Sequence, residues 1–282
     1  MSHPALAAEA LSKWDAIASH WDAGIGRDGN KYWRVLQEPC LRRMLGAHLA
    51  KPGCRALDLA TGNGLCARWL KAQGATEVVA TDGSLEMLMG AGAHEGGEGV
   101  EWRVLDVTEE RDWSTLVEKE REERRGGFNV ILMNMAMMDV ATLEPMAKAL
   151  PLLLAEDGVF VATVLHPVFF TSNASRNIEL KFSPVTGELE VVRSKVITEY
   201  LHVAPARGIA LMDQPEKQLY FHRPMDQLFT TFFKAGMVMD GMEELAFTEA
   251  DFDAKRVESS VNYTQLPAIL AWRMRLPVKK TE

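Results

Sequence analysis

Residues 57–64 read LDLATGNG, and this stretch decides the fold of the 282-residue chain. Its leading apolar residues predict a buried strand, and the glycines that follow predict a tight loop. A helical pattern comes next at residues 65–73, and a second apolar run at residues 77–82 ends on Asp82. A strand, a glycine-rich turn, a helix and a strand that ends on an acidic residue form half of a nucleoside-binding fold.

The glycine loop and Asp82 have a direct chemical use in such a fold. Glycines let the backbone approach a ligand where a Cβ atom would clash. Asp82 stands where a carboxylate can accept hydrogen bonds from both hydroxyls of a ribose. A purely structural alternative is that Asp82 caps the helix that begins at Ser84, since both residue types are common N-caps.

The residue before the loop distinguishes between two kinds of nucleoside cofactor. Gly62, Gly64 and Ala67 fit the G-x-G-x-x-G/A fingerprint of dinucleotide-binding enzymes, and Asp82 lies at about the expected distance. Asp58, however, places a carboxylate where a pyrophosphate would lie, and like charges in a partly desolvated site repel each other. A cofactor with positive groups and no phosphate is favoured instead, and S-adenosylmethionine carries both a sulfonium and an ammonium group.

With Asp58 included, the sequence resembles the class I S-adenosylmethionine-dependent methyltransferases. Their first motif, (Asp/Glu)-x-Gly-x-Gly-x-Gly, is matched here as Asp58-x-Ala60-x-Gly62-x-Gly64. Ala60 departs from the motif and adds one methyl group near the methionyl arm of the cofactor, without removing the turn. The resemblance rests on four motifs in the family's order over residues 54–166 and extends loosely over most of the chain.

Two further motifs follow the third and fourth predicted strands. In the family, a carboxylate at the position of Asp106 takes the adenine amine, and the next backbone amide, here that of Val107, takes a ring nitrogen. Asn134 ends the fourth strand, where it contacts the cofactor or substrate or else satisfies a local turn. The residues that the resemblance assigns to cofactor binding are Asp58, Ala60, Thr61, Gly62, Asn63, Gly64, Asp82, Gly83, Ser84, Asp106, Val107 and Asn134.

The order of elements predicts an α/β protein with a doubly wound, Rossmann-like sheet of seven strands, mostly parallel with the last strand antiparallel. Core strands are predicted at residues 55–60, 77–82, 100–106, 128–134 and 158–165. Core helices are predicted at residues 65–73, 84–93, 109–124 and 142–154. A helix at residues 225–235 and a final hairpin at residues 237–246 and 267–276 match the family's ending. The cofactor is expected beyond the C-terminal strand ends, at the switch point.

The chain is expected to form a single domain, residues 1–282, whose cofactor-binding core spans residues 51–166. Residues 1–50 predict a helical lid, in which a glycine-rich loop at residues 23–30 separates two helices and the second helix covers residues 32–49. Trp14 is interpreted as packing on the core, and Trp21 as either core or lid.

Residues 167–223 interrupt the alternation of strands and helices and predict an inserted substrate cap within the same domain. A turn is predicted at residues 183–188 and a strand at residues 190–198. Residues 224–282 complete the domain with the C-terminal helix and hairpin. A dehydrogenase would instead be expected to add a second mononucleotide-binding half.

Two histidines are candidates for the base that takes a proton from the methyl acceptor. His166 follows the fifth strand and His222 precedes the C-terminal helix, and both are expected to face the cap. The alternative is that each histidine orders a loop. Arg223 is interpreted as a cation that anchors a loop. No metal is predicted, because Asp139 is the one carboxylate near the end of strand four.

Composition excludes several classes of partner. A net charge of −8 without a basic patch argues against nucleic acid, and no apolar run has the length of a membrane span or signal peptide. Three cysteines without metal spacing indicate a reduced, cytoplasmic setting. Aromatic and methionine side chains predict an apolar, adaptable substrate pocket: Phe169, Phe170, Tyr200, Tyr220, Phe221, Met135, Met137 and Met138.

The sequence therefore predicts a methyltransferase that uses S-adenosylmethionine to methylate an oxygen or nitrogen atom of a small, partly apolar molecule. One alternative is a protein of the same fold that binds the cofactor without transferring its methyl group. A less favoured alternative is an NAD-dependent oxidoreductase. The oligomeric state is not predicted.

Overall fold

The computed structural model describes residues 3–123, 125–171 and 174–278, and its centre is a seven-stranded sheet. The strands in chain order are β1 (Arg55–Leu59), β2 (Glu77–Asp82), β3 (Val100–Val104), β4 (Phe128–Asn134), β5 (Leu154–Leu165), β6 (Ser175–Phe182), β7 (Leu189–Val196), β8 (Ala206–Gly208), β9 (Gln218–Tyr220), β10 (Val238–Leu245) and β11 (Ile269–Arg275). The α-helices are α1 (His3–Ile25), α2 (Glu38–Leu49), α3 (Leu65–Ala72), α4 (Leu85–Ala93), α5 (Glu110–Glu122), α6 (Glu144–Leu153) and α7 (Met225–Lys234).

The sheet has the doubly wound topology that the sequence predicts. Its strand order is β10-β11-β5-β4-β1-β2-β3, with β1 to β5 parallel where they pair. The last strand, β11, runs antiparallel to both β5 and β10, as predicted. The order reverses between β1 and β4, and in open α/β sheets a ligand binds beyond the strand ends at such a reversal.

Both faces of the sheet are covered by helices, which explains the continuous apolar strands. All five residues of β1 are buried. Leu57 and Leu59 pack in one core cluster with residues of α5, α6 and α7, while Ala56 packs in a second cluster with residues of α2 and α3. Because side chains alternate across a strand, a strand covered on both sides buries every residue and is mostly apolar. The two charged residues of β1 are Arg55, which is paired with Glu120, and Asp58 at the end of the strand.

The N-terminal segment forms two helices, with one departure from the prediction. The helix predicted at residues 32–49 begins as a π-helical turn at Trp33–Gln37 before α2. There the Glu38 N–H donates to the carbonyl of Trp33, five residues back. The next residue, Pro39, has no N–H to donate, so the ordinary hydrogen-bond ladder is interrupted where the wide turn meets α2.

The inserted segment contains two hairpins rather than the one turn and one strand predicted. β6 pairs with β7, and β8 pairs with β9, in both cases antiparallel. The second hairpin joins the core where the Phe221 N–H donates to the carbonyl of Met138 at 2.7 Å. Residues 1, 2, 124, 172, 173 and 279–282, which fall in the predicted lid, core helix, cap and C-terminal segment, lie outside the described residues.

Candidate functional site

A cavity of about 770 Å³ lies beyond the C-terminal ends of β1, β2 and β4, between the sheet, α1 and the inserted hairpins. We call it the main cavity. The residues that the sequence assigned to cofactor binding line it, except Gly64 and Ser84: Asp58, Ala60, Thr61, Gly62, Asn63, Asp82, Gly83, Asp106, Val107 and Asn134. The fold therefore brings four separate sequence motifs to one wall of one cavity.

Asp82 joins the two loops that end β1 and β2. Its Oδ2 accepts a hydrogen bond from the Gly62 N–H at 2.8 Å, and its Oδ1 accepts one from the Ser84 N–H at 2.9 Å. Burial raises the pKa of the Asp82 carboxyl to about 6, although both backbone hydrogen bonds favour the ionised form. Each carboxylate oxygen can accept further hydrogen bonds, so Asp82 can still bind the hydroxyls of a ligand.

Asp58 is buried at the end of β1, with 1% of its surface exposed. The Thr61 hydroxyl donates to its Oδ2. Burial raises the pKa of the Asp58 carboxyl to about 7, opposed by the hydrogen bond from Thr61 and assisted by the charge of Asp82. A positively charged ligand would favour the ionised form of this carboxyl, whereas a diphosphate would oppose it.

Ala60 takes a backbone conformation that normally belongs to glycine. Its φ angle is 51°, in the left-handed region where a Cβ atom crowds the following carbonyl. The family has glycine at this position in the motif described above. The chain therefore keeps the turn at a cost in conformational strain, and the extra methyl group lies on the cavity wall.

Gly64 and Ser84 shape the site without lining it. A Cβ atom on Gly64, whose φ is 77°, would come within 2.7 Å of the Trp102 ring, so this glycine permits close packing. Ser84 caps α4 by accepting a hydrogen bond from the Met87 N–H at 3.1 Å. Its hydroxyl also donates to Asp15 of α1 at 2.6 Å.

Asp106 and Asn134 are each fixed by neighbouring side chains. Asp106 Oδ1 accepts hydrogen bonds from the backbone N–H of Thr108 at 2.9 Å and from its hydroxyl at 2.7 Å. The Asn134 amide donates to Gln37 at 2.9 Å and accepts from Thr163 at 2.7 Å. Both side chains therefore reach the cavity in a set orientation.

Helix α1 closes the main cavity over the glycine loop. Trp21 lies against the loop, since its Nε1 would be 3.7 Å from a Cβ atom at Gly62. Trp14, which the sequence placed in the core, instead lines the cavity and meets Trp21 edge to face at a centroid distance of 5.1 Å. The helical spacing of Trp14 predicted an inward side chain correctly, but the inward face of α1 covers a cavity.

Asn63 ties the glycine loop to the end of α1. Its Nδ2 donates to Asp22 Oδ1 at 3.0 Å and to the carbonyl of Gly26 at 3.2 Å. The same Asp22 oxygen lies 2.7 Å from His94 Nε2, which belongs to the segment after α4. The C-terminal end of α1 is thus bonded to the glycine loop and to the segment after α4.

Neither candidate histidine lines the main cavity. His166 is buried immediately after β5, with Nε2 2.8 Å from Glu244 Oε1 and Nδ1 accepting from the Val168 N–H at 3.3 Å. Burial lowers the pKa of His166, opposed by Glu244. This geometry matches the loop-ordering alternative, and it gives the proton-transfer role no support.

His222 lies on an adjoining side cavity of about 380 Å³. The two cavities share six lining residues: Met138, Leu165, Phe170, Arg176, Ile209 and Tyr220. Its Nε2 donates to the carbonyl of Tyr200 at 2.6 Å. Burial lowers the pKa of His222, partly opposed by that hydrogen bond. His222 therefore holds the inserted segment in place and stays apart from the main cavity.

Arg223 anchors a loop, as the sequence predicted. Its guanidinium donates to the carbonyls of Met137 at 3.1 Å and Val140 at 2.7 Å. These two carbonyls flank Asp139, in the short 3₁₀ turn Met137–Asp139 that follows β4. Burial lowers the pKa of Arg223 to about 10, which leaves it charged at neutral pH.

Asp139 is a cavity residue that sequence reasoning considered only as a metal ligand. It lines the main cavity together with Gln218 and Tyr220. The signal was present in the sequence, since a single carboxylate within the apolar run MNMAMMDVA needs a partner once it is buried. Among the predicted apolar residues, those that line the main cavity are Met135, Met138, Phe170 and Tyr220.

The described residues contain neither a metal-binding cluster nor a helix that could span a membrane. Within residues 3–123, 125–171 and 174–278, no cluster of three or more His, Cys, Asp or Glu side chains is arranged to hold a metal ion. In the same ranges, no helix combines the length and apolar character needed to cross a bilayer.

Comparison with solved structures identifies the fold. No protein-family model matches the sequence, and no curated protein matches it. An S-adenosylmethionine-dependent methyltransferase from Mesorhizobium loti is 21% identical, with a TM-score of 0.59 over 89% of this chain and 100% of its own. An S-adenosylmethionine-dependent methyltransferase from Anabaena variabilis is 17% identical, with a TM-score of 0.57 over 96% of this chain and 95% of its own.

A third structure was solved with a bound ligand. The glycopeptide N-methyltransferase MtfA in complex with S-adenosyl-L-methionine is 11% identical, with a TM-score of 0.50 over 83% of this chain and 92% of its own. Together these structures show that the chain has the fold of the class I S-adenosylmethionine-dependent methyltransferases.

Proposed function

We propose that this protein transfers a methyl group from S-adenosylmethionine to an oxygen or nitrogen atom of a small, partly apolar molecule. The observation that carries the proposal is the acidic wall of the main cavity. Asp58, Asp82 and Asp106 line it beside a glycine loop, at the reversal point of a methyltransferase-type sheet. The structure of MtfA with S-adenosyl-L-methionine supports the same cofactor for this fold.

The residues present fit the cofactor in chemical character. Asp82 would accept hydrogen bonds from the ribose hydroxyls, and Asp106 would accept one from the adenine amine. Asp58 and the loop around Gly62 would face the positively charged methionyl arm. When bound, the cofactor supplies a methyl group attached to a positively charged sulfur. The chain's own contribution is to align the acceptor and to exclude water, which α1 and the inserted hairpins do by covering the cavity.

The acceptor is proposed to be small because the inserted segment encloses the space. The main cavity of about 770 Å³ falls within the range of cavities that bind small molecules, and the side cavity adds about 380 Å³. Apolar residues such as Met138, Phe170 and Ile209 lie between the two cavities. This lining supports a partly apolar acceptor over nucleic acid. Three buried free cysteines support the cytoplasmic location that we propose.

The location of the two histidines outside the main cavity supports a second candidate function. Since neither His166 nor His222 lines the main cavity, a protein that binds the cofactor without transferring the methyl group is the strongest competitor. An NAD-dependent oxidoreductase is the weaker competitor, because the Asp58 carboxylate would face its diphosphate.

Titration calorimetry with S-adenosylmethionine, S-adenosylhomocysteine and NAD tests the cofactor. We expect both adenosyl ligands to bind and NAD not to bind; binding of NAD alone would overturn the proposal. Incubation with a radiolabelled methyl donor and a pool of small metabolites then tests the reaction. Labelled product supports methyl transfer, whereas tight cofactor binding without product from any pool supports the second candidate.

A further inference from the structure

One carboxyl group that lines the main cavity, that of Asp139, has an oxygen without a hydrogen-bond partner in the described part of the chain. Asp139 lines the cavity, yet its Oδ1 is closed off from solvent and has no hydrogen-bond partner among the described residues. A buried polar atom without a partner costs about 1–3 kcal/mol, and a charged one costs more. Rotation of the carboxyl toward the cavity would let a ligand supply the missing donor.

Asp139 is supported by two cavity residues of the inserted segment. Gln218, which is 2% exposed, lies beside the Asp139 carboxyl and the Tyr220 hydroxyl, and its side chain partly opposes the rise in pKa that burial causes in both groups. Gln218 is itself held by Gln214, whose Nε2 donates to Gln218 Oε1 at 2.8 Å. An ionised carboxylate only accepts hydrogen bonds, so the Gln218 amide nitrogen is the group that can donate to Asp139.

No charge compensation for Asp139 comes from its basic neighbour. Arg223 directs its guanidinium to the carbonyls of Met137 and Val140, on either side of Asp139, instead of to the carboxyl. Its charged neighbour in α6 is Glu144, which raises the pKa of Arg223. Tyr220 is neutral at physiological pH, because burial raises the pKa of its hydroxyl. Two further cations line the main cavity, but Arg176 donates to the Glu258 carbonyl and the Ser260 hydroxyl, and Arg256 pairs with Glu258. No described cation is therefore paired with Asp139, and a cationic ligand would supply the balancing charge.

We propose that Asp139, positioned by Gln218 and flanked by Tyr220, binds the ammonium group of the methyl acceptor, and that the acceptor is a small arylalkyl or alkyl amine methylated on nitrogen. The inference rests on the proposed function and narrows its acceptor atom from oxygen or nitrogen to nitrogen. Apolar residues that line the same cavity, among them Met138 and Trp14, suit the hydrocarbon part of such an amine.

The carboxyl can also take the proton that must leave the amine. Burial raises the pKa of Asp139 well above its ordinary value, opposed by the hydrogen bond from Gln218, and so favours the protonated form of the carboxyl in the empty cavity. Binding of an ammonium ion favours the carboxylate and releases one proton to solvent. An N–H bond of the ammonium then breaks, and the proton passes to Asp139 while the electron pair stays on nitrogen.

The remaining steps balance without a further reactant. The amine nitrogen forms a bond to the methyl carbon as the carbon–sulfur bond of the methyl donor breaks, with its electron pair retained on sulfur. The product leaves as an N-methylammonium ion. Asp139, again protonated, returns to the state of the empty cavity.

Calorimetry on the wild-type protein saturated with S-adenosylhomocysteine tests the proposal. The probes are phenethylamine, 2-phenylethanol and phenylacetate, which share a ring and differ in the polar group. We expect phenethylamine to bind at least tenfold more tightly than either of the others. We also expect about one proton to be released per amine bound, measured as the difference between buffers of unlike ionisation enthalpy. Equal affinity for amine and alcohol would overturn the proposal.

The Asp139→Asn variant provides the matched test, with Asp157→Asn as a control on the far side of the molecule. Asp157 is 66% exposed and paired with Lys51. Asp139→Asn should lose the tenfold preference for the amine and the proton release, and Asp157→Asn should keep both. Retention of both in a folded Asp139→Asn protein would overturn the proposal.

If S-adenosylhomocysteine itself fails to bind to the wild type, the proposed function fails as well. If it binds normally, the experiment tests the amine inference alone.

Discussion

The Asp82 carboxylate holds the glycine loop through its backbone, because Asp82 Oδ2 accepts a hydrogen bond from the Gly62 N–H at 2.8 Å. One side chain therefore sets the loop and also faces the place expected for a ribose. The role of Asp82 as a helix cap is secondary, since Ser84 is the residue whose side chain caps α4. Binding and loop geometry are thus coupled at a single carboxylate.

Replacement of Asp82 by alanine should weaken binding of S-adenosylhomocysteine by more than tenfold, which corresponds to about 1.4 kcal/mol or more. Charge-assisted hydrogen bonds to the ligand are lost, and the Gly62 amide loses its acceptor. Titration calorimetry measures the change. Asp157→Ala removes an exposed carboxylate far from the cavity and should leave the affinity unaltered. Equal affinity of Asp82→Ala and the wild type would contradict this account of the site.

Replacement of Ala60 by glycine should leave stability unchanged or raise it by up to about 1 kcal/mol. At a φ of 51° alanine is strained, and removal of the Cβ atom relieves that strain, while the more flexible unfolded chain offsets part of the gain. Urea denaturation gives the free energy of unfolding. Ala162→Gly, in the buried part of β5, serves as the contrast and should destabilise the protein by about 1 kcal/mol or more. Similar losses in both variants would show that Ala60 is not strained.

Replacement of Asp22 by alanine should loosen α1, because Asp22 is bound to Asn63 in the glycine loop and lies beside His94. Hydrogen exchange of the α1 amides should become several-fold faster in the ligand-free protein. Glu216→Ala is the control, since it breaks an exposed ion pair of α1 with the inserted segment, and such pairs contribute little. Faster exchange in the control than in Asp22→Ala would indicate that the inserted segment, not the glycine loop, holds the lid.

Much of the fold could be predicted because it depends on local periodicity. The run from Arg55 to Leu59 is buried on both faces, and the glycines that follow end the strand where the structure does. The same reasoning located the final antiparallel pair of strands. The π-helical turn before α2 was missed, although Pro39 signals an interruption of the helix.

The acceptor end of the site could not be predicted, because it depends on contacts between distant segments. His166 is occupied by Glu244, 78 residues away in sequence, and no local pattern identifies that partner. Asp139 meets Gln218 and Tyr220 only because the second inserted hairpin folds against the turn after β4. The cofactor motifs were found because each is a short segment with its own turn chemistry.

The pH dependence of stability should reveal the buried carboxyl of Asp58. Its pKa is raised to about 7 in the folded protein from an ordinary value of 3.8, so between these values the native state holds a proton that the unfolded chain has released. The free energy of unfolding therefore falls as pH rises through this window, by at most about 1.4 kcal/mol per pH unit for one group. Above pH 7 the Asp58 carboxyl is ionised in both the folded and the unfolded state. It then adds no further pH dependence to the free energy of unfolding.

Urea denaturation of the wild type and of Asp58→Asn between pH 5 and pH 8 isolates the effect. The asparagine cannot titrate, so the stability of the wild type relative to Asp58→Asn should decline steadily up to about pH 7. The variant still contains Asp82, whose carboxyl has a pKa raised to about 6. The free energy of unfolding of the variant therefore still falls partly with pH. Asp157→Asn should follow the wild type over this range, because that exposed carboxylate has a lowered pKa and is ionised throughout. Parallel curves for the wild type and Asp58→Asn would mean that Asp58 is ionised in the empty cavity, and that the acidic wall is charged before any ligand arrives.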